Sequence, residues 1–287
     1  MAIDYQKLKN RKFDDVVHTY TQRDTMLYAL GLGFGADPMD RGQLRFVYED
    51  GLKALPTMAV VLGSPGFWVK NPDSGIDWKQ VLHGEQGLKV FKPLPAEGTV
   101  IGRTRIVDII DNGPGKGALM YSEREIIDKK SGEVLAASQS TTFARADGGF
   151  GGPAGPKKSV HAIPERTPDL TTDITSVPQA ALIYRLSGDY NPLHADPDVA
   201  KSANFKQPIL HGLCTYGIAG HAILKLLCGY DPAKLKQMDV RFSSPVYPGE
   251  TIRTEVWKEG AGKAAFRCKV VERDVMVLNN GYAEYAA

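Results

Sequence analysis

The chain has 287 residues, enough for two ordinary domains or one large one. Apolar residues make up 43% and charged residues 24%, and the net charge is +2. These values fit a globular protein and exclude both a disordered chain and one held to nucleic acid by a strongly basic field.

A helix-like segment is expected around residues 26–33, followed by an apolar segment at Leu55–Gly63. Strand-like runs follow near 99–110, 117–128 and 133–145, with alternation visible in Leu119, Tyr121, Glu123, Glu125 and Ile127. Residues 144–168 are dense in Gly and Pro and can build neither a long helix nor a central strand, so they read as a joint. They divide the chain into residues 1–150 and 151–287. Beyond the joint come a helix-like segment at 182–189 and an apolar helix over Leu213–Leu227. Four more strands are expected near 236–243, 250–259, 263–273 and 275–286.

The two parts echo one another. MLYALGLG at 26–33 matches LIYRLSGD at 182–189, aligning Tyr28 with Tyr184; FKPLPAEGTV at 91–100 matches FSSPVYPGETI at 242–252. The shifts of 156 and 151 residues are nearly equal, as a duplicated unit requires. One apolar segment followed by several antiparallel strands in each part implies a sheet packed around a helix, and two such units side by side can share one sheet.

The segment richest in chemistry is YRLSGDYNPLHADPDVAKSANFKQPILHGLCTYG, residues 184–217. Asn191-Pro192 favours a turn, because proline keeps the preceding residue out of helix geometry. That turn can bring Asp189 and His194 onto one side. Asp196-Pro197 reads as an N-cap with proline at the first helical position. Gly212 then falls at the start of the apolar helix, where free N–H groups and the helix dipole suit an oxygen gaining negative charge. An acid, a histidine and an oxyanion-binding amide are the parts needed to add water across an enoyl thioester. Water must be deprotonated as it attacks C3, a proton must reach C2, and the thioester oxygen must be held as it becomes enolate-like. Asp-x-Asn-Pro is also a common structural turn; only the complete string is specific.

The string SGDYNPLHADPDVA…PILHGLCTYG resembles the R-specific 2-enoyl-CoA hydratases, or hydratase 2, of the MaoC-like group. LPTMAVVLG, VLHGEQ, FKPLP, GGFGG and RFSSPVYPGETI extend the resemblance, to the hydratase domains of type 2 peroxisomal multifunctional enzymes, over nearly the whole chain. The resemblance implies an α+β double hot-dog fold: two antiparallel sheets, each wrapped around a central helix. Only the second repeat keeps the catalytic loop. Gly33 stands where Asp189 stands, and the first repeat is expected to bind the acyl chain. It further implies that Asp189 and His194 activate water, Asn191 organises it, and the Gly212 amide binds the thioester oxygen. Tyr190, Pro192, Leu193 and His211, which flank these residues, are expected to contact substrate. His83, Gly84 and Phe242 match substrate-contacting positions, though Phe242 reads equally as a core aromatic. Where the family often places a CoA-binding lysine this chain has Asn112, with Lys116 nearby. A homodimer is implied, and no cofactor beyond the coenzyme A of the substrate.

Cys214, Cys228 and Cys268 form no CxxC pair, and their odd number argues against a disulfide framework. The polar start MAIDYQKLKNRKFDD lacks the apolar core of a signal peptide, and no apolar stretch is long enough to cross a bilayer. The end, Glu-Tyr-Ala-Ala, is not a peroxisomal tripeptide, so a cytoplasmic location without a membrane partner is expected. The six histidines show no metal-ligand spacing. Gly31-Leu-Gly33-Phe-Gly35 follows a helix-like segment, not a strand, which argues against a dinucleotide site. Two alternatives stand beside hydration: a hot-dog acyl-CoA thioesterase and a non-catalytic acyl-CoA-binding protein.

Overall fold

The structure, a computed structural model, describes residues 2–286. The first half contains α1 (Tyr5–Lys9), β1 (Val16–Tyr20), α2 (Gln22–Gly31), α3 (Arg41–Leu44), β2 (Val81–Val90), β3 (Gly98–Asp111), β4 (Ala118–Asp128) and β5 (Val134–Ala144). The second contains β6 (Leu170–Thr175), α4 (Ala180–Tyr184), α5 (Pro197–Ser202), α6 (Gly212–Leu227), β7 (Leu235–Phe242), β8 (Thr251–Lys258), β9 (Lys263–Val270) and β10 (Val275–Tyr285). Residues 145–169 join them without regular structure. A capping box starts α2: the Thr21 hydroxyl accepts from the Asp24 amide, and the Asp24 carboxylate accepts from Thr21 N–H.

Ten antiparallel strands form one sheet in the order β1-β3-β4-β5-β2-β7-β10-β9-β8-β6. Each half has the same internal order, β1-β3-β4-β5-β2 and β6-β8-β9-β10-β7, which is the duplication written in topology. The double hot-dog is therefore present with its two sheets fused edge to edge. Along the seam Glu85 pairs with Arg241, Gln86 with Val240, Gly87 with Asp239 and Leu88 with Met238. The aligned tyrosines of the repeat meet: the Tyr28 and Tyr184 rings lie 5.8 Å apart.

The halves differ in the helix they wrap. Helix α6 spans 16 residues and is buried on all sides from Cys214 to Leu224, as a helix at the centre of a core must be. Two glycines let the first half approach it closely. A Cβ on Gly217 would lie 2.6 Å from Leu32 Cδ2, and one on Gly220 would lie 2.6 Å from Thr57 Cγ2. In the first half the expected central helix is only a 3-10 turn, Pro56–Val60. Proline opens it, and β-branched Val60 and Val61 followed by Gly63 at φ 60° close it. The sheet of the first half is thus incompletely covered.

Gly63 also packs directly on β3. A Cβ on Gly102 would lie 2.0 Å from the Gly63 carbonyl oxygen, which backbone cannot yield cheaply. Gly102→Ala is expected to cost about 3 kcal/mol, against at most about 0.5 for Gly98→Ala, whose Cβ would meet nothing closer than 3.6 Å. Thermal unfolding of the two variants checks this.

Candidate active site

The loop between α4 and α5 carries Asp189, Asn191 and His194. Gly188, at φ 115°, releases the chain from a 3-10 turn over Arg185–Ser187, and the acid follows at once. The Asp189 carboxylate accepts from Asn191 N–H at 3.1 Å, and the Asn191 side-chain oxygen accepts from Leu193 N–H at 3.1 Å. Pro192–His194 form a second 3-10 turn that carries His194 back into the protein. Downstream, the Asp196 carboxylate caps α5 by accepting from Asp198 and Val199 N–H, with Pro197 in the first turn. The sequence expectations for this loop hold in its backbone.

His194 is buried while Asp189 is exposed. The Nδ1 of His194 lies 2.8 Å from the Ile209 carbonyl, which can only accept. That bond places the proton on Nδ1 and leaves Nε2 with a lone pair. Burial lowers the His194 pKa below the usual imidazole value, so the ring is neutral at neutral pH. Its plane stacks on His211, with centroids 3.7 Å apart and planes 25° from parallel.

His211, expected among the substrate contacts, lies buried against His194. Its Nε2 donates to the Asp189 backbone carbonyl at 3.1 Å, and the Tyr184 ring lies 5.1 Å away. That bond ties the Asp189 backbone to the start of α6. Burial, then the adjacent His194, hold its pKa down to about 4. Asp189, His194 and His211 offer ligand-type atoms within 4.8 Å of one another. The two stacked rings hold their in-plane lone pairs in separate, nearly parallel planes, however, which does not suit ligation of one ion by both.

Gly212 opens α6 and is exposed at its amino end. As the first helical residue its N–H has no partner within the helix. A Cβ there would lie 3.3 Å from the Phe242 ring, so glycine leaves just enough room for that aromatic. Phe242 in turn lies 4.8 Å from the His83 ring. His83 and Gly84 sit at a bulge in β2, between the pairings His83–Thr142 and Glu85–Thr141. Residues from both halves therefore come close together: His83 from the first packs on Phe242 of the second, which lies beside Gly212.

Of the remaining expected residues, Tyr190 is 60% exposed beneath the Arg185 guanidinium, Pro192 is exposed, and Leu193 is half-buried. Asn112 and Lys116 lie in the β3–β4 hairpin, joined by a 3.4 Å bond from the Asn112 amide to the Lys116 carbonyl. They share the sheet end of His83 but stand three strands away, because β5 and β4 intervene. The Ile209 carbonyl, which orients His194, was not foreseen; a main-chain acceptor has no side-chain signature. Tyr184 was seen only as a repeat marker.

A ten-stranded double hot-dog with an Asp-x-Asn-Pro-x-His loop in its second half defines a class, and the chain belongs to it: the MaoC-like hydratase 2 family. Residues 159–280 match the MaoC like domain, and residues 18–146 match the MFE-2 hydratase 2 N-terminal domain. Its relatives include 3-hydroxyacyl-thioester dehydratase Y of Mycobacterium tuberculosis, 39% identical with 100% of both chains covered. Another is the peroxisomal enoyl-CoA hydratase 2 of Arabidopsis thaliana, 39% identical over 95% of this chain and 92% of that one. A crystal structure of a MaoC-like dehydratase from Phytophthora capsici superposes with a TM-score of 0.86 at 38% identity, covering 98% of each chain. Among the described residues no helix is long and apolar enough to cross a membrane.

Proposed function

We propose that the protein adds water reversibly to trans-2-enoyl-CoA, giving (3R)-3-hydroxyacyl-CoA in fatty acid metabolism. The observation that carries this reading is the unprotonated Nε2 of buried, neutral His194, beside the Asp189 carboxylate and the amino end of α6. Water held between Asp189 and His194 loses a proton to the dyad as its oxygen bonds to C3. Electron density moves to the thioester oxygen, which the Gly212 N–H stabilises. The dyad then returns the proton to C2, so one water is added and the dyad is restored. Asn191 steadies the acid; His83, Gly84, Phe242 and the exposed loop residues Tyr190 and Pro192 border the acyl-CoA. Asn112 and Lys116 are the contacts proposed for the CoA phosphates. Residues 1–150 form a repeat that takes the acyl chain, and residues 151–287 carry the chemistry. No cofactor enters these steps. A cytoplasmic homodimer completes the proposal. The names of the hydratase and dehydratase relatives favour hydration over thioester hydrolysis.

Loss of the conjugated-thioester absorbance on adding enoyl-CoA, with a product oxidised only by a (3R)-specific dehydrogenase, is the expected result. Free thiol instead would indicate a thioesterase. The acid limb of kcat/KM against pH should fall below the usual imidazole pKa of about 6.5, because burial lowers that of His194 and only its neutral form accepts the proton. A limb above 6.5 would contradict the assignment.

A further inference from the structure

The helix-facing side of the first half's sheet is unlike that of the second. Beneath α6 the second half presents Met238, Val240, Val256, Ala264, Phe266 and Cys268, all buried and apolar or nearly so. In the first half the matching area is polar. Cross-strand partners share a face. One row runs Gln86–Ser140–Ser122 and the next runs Leu88–Ser138–Arg124–Thr104. Ser122 and Ser140 bond each other at 2.8 Å, and the Gln86 amide donates to Ser138 at 3.0 Å. Apolar residues bound this belt on both sides: Ile106, Ile109 and Met120 towards the loop end, and Val90, Ile126 and Ala136 towards the other. The short Pro56–Val60 turn does not close it off, since Ser122, Ser140 and Thr142 remain half-exposed.

Arg124 is the unusual member. One nitrogen donates to the Val60 carbonyl at 2.6 Å, but its Nε is buried with no partner. Its cross-strand neighbour Thr104 likewise has a buried hydroxyl with no partner. Among the described residues no carboxylate pairs with Arg124, and burial pushes its guanidinium down to about 10. A guanidinium partly withdrawn from water without a counter-charge is costly, and a carboxylate is the group whose geometry fits it. Arg124 stands two strands across and four residues along from the His83 row, roughly 16 Å by strand spacing and rise, the span of a medium-length acyl chain.

We propose that this belt receives the far end of the acyl chain, and that Arg124 and Thr104 bind an anionic group there, so that the preferred substrates are enoyl-CoAs ending in a carboxylate. The proposal rests on the hydratase reading for the position of the reacting end.

The test compares trans-2-dodecenoyl-CoA with its ω-carboxy counterpart on wild type, Arg124→Met, Arg124→Lys and Thr104→Val. In wild type the kcat/KM ratio should favour the carboxylate by about tenfold, the effect of a charge-assisted bond. Arg124→Met should pull that ratio down at least about tenfold, Arg124→Lys and Thr104→Val less. Wild-type preference for the methyl-ended chain would overturn the proposal. So would an equal loss on both substrates in Arg124→Met, which would mean that Arg124 only props the Val60 turn. Calorimetric binding of saturated dodecanoyl-CoA and its ω-carboxy form to wild type and Arg124→Met should show the same ratio. That comparison decides the anion site even if no enoyl-CoA, crotonyl-CoA included, is hydrated.

Discussion

Asp189→Asn is expected to lower kcat for enoyl-CoA hydration by about 10³-fold, in the middle of the range for one general acid–base group, while leaving the fold intact. The two halves of that expectation have separate causes. The side chain is exposed and, among the described residues, its one bond is accepted from Asn191 N–H, which an amide oxygen can accept equally well. The bond from His211 reaches the Asp189 backbone carbonyl and is indifferent to the side chain. The loop therefore keeps its shape, but an amide cannot take or return a proton. His194→Ala should be comparably inactive, and because both groups handle the same water the double variant should lose little more than either single one. Circular dichroism and acyl-CoA binding would report the intact fold. Turnover of Asp189→Asn within tenfold of wild type would remove Asp189 from the chemistry and favour a site that only binds acyl-CoA.

How much of this could be read from the amino acids differed by element. The long strands of each half announced themselves through alternation, and α6 through an unbroken apolar stretch. Strand β2 did not: VLHGEQGLKV carries two glycines and four polar side chains because it sits at the seam, bulges at Gly84 and brings His83 against Phe242. The edge strands β1 and β6, five and six residues long, were equally silent, since each is half solvated and pairs only on one side. The central helix expected in the first half shrank to a single turn because Leu55–Gly63 is apolar enough for a core but begins with proline and ends with valines and glycine. The loop carrying Asp189 and His194 was legible because proline, an Asx turn and an N-cap are local devices whose geometry does not depend on the rest of the fold. The setting of His211 was hidden for the opposite reason. Nothing beside it in the chain reveals that it stacks under His194, a contact closed by the path of residues 195–210. The polar belt around Arg124 was invisible for the same reason, being assembled from four strands.

The second large effect concerns Gly212. Gly212→Val is expected to lower kcat by about 10²–10³-fold, the loss of one oxyanion donor, or about 2.7–4 kcal/mol of transition-state stabilisation. The N–H survives the substitution, so the loss has to come from access. A Cβ at this position already lies 3.3 Å from Cε1 of Phe242, and valine adds two methyl groups in the space through which the thioester oxygen would reach the amide. Gly212 is not among the glycines with positive φ, so backbone strain does not compete as an explanation. Alanine, needing only a few tenths of an ångström from the ring, should fall between glycine and valine. Phe242→Leu in the Gly212→Ala background supplies the discriminating step. If crowding against the ring is the cause, the smaller side chain restores part of kcat. If the double variant is no faster than Gly212→Ala alone, the aromatic is not what confines the site, and glycine is needed there for the approach of substrate itself.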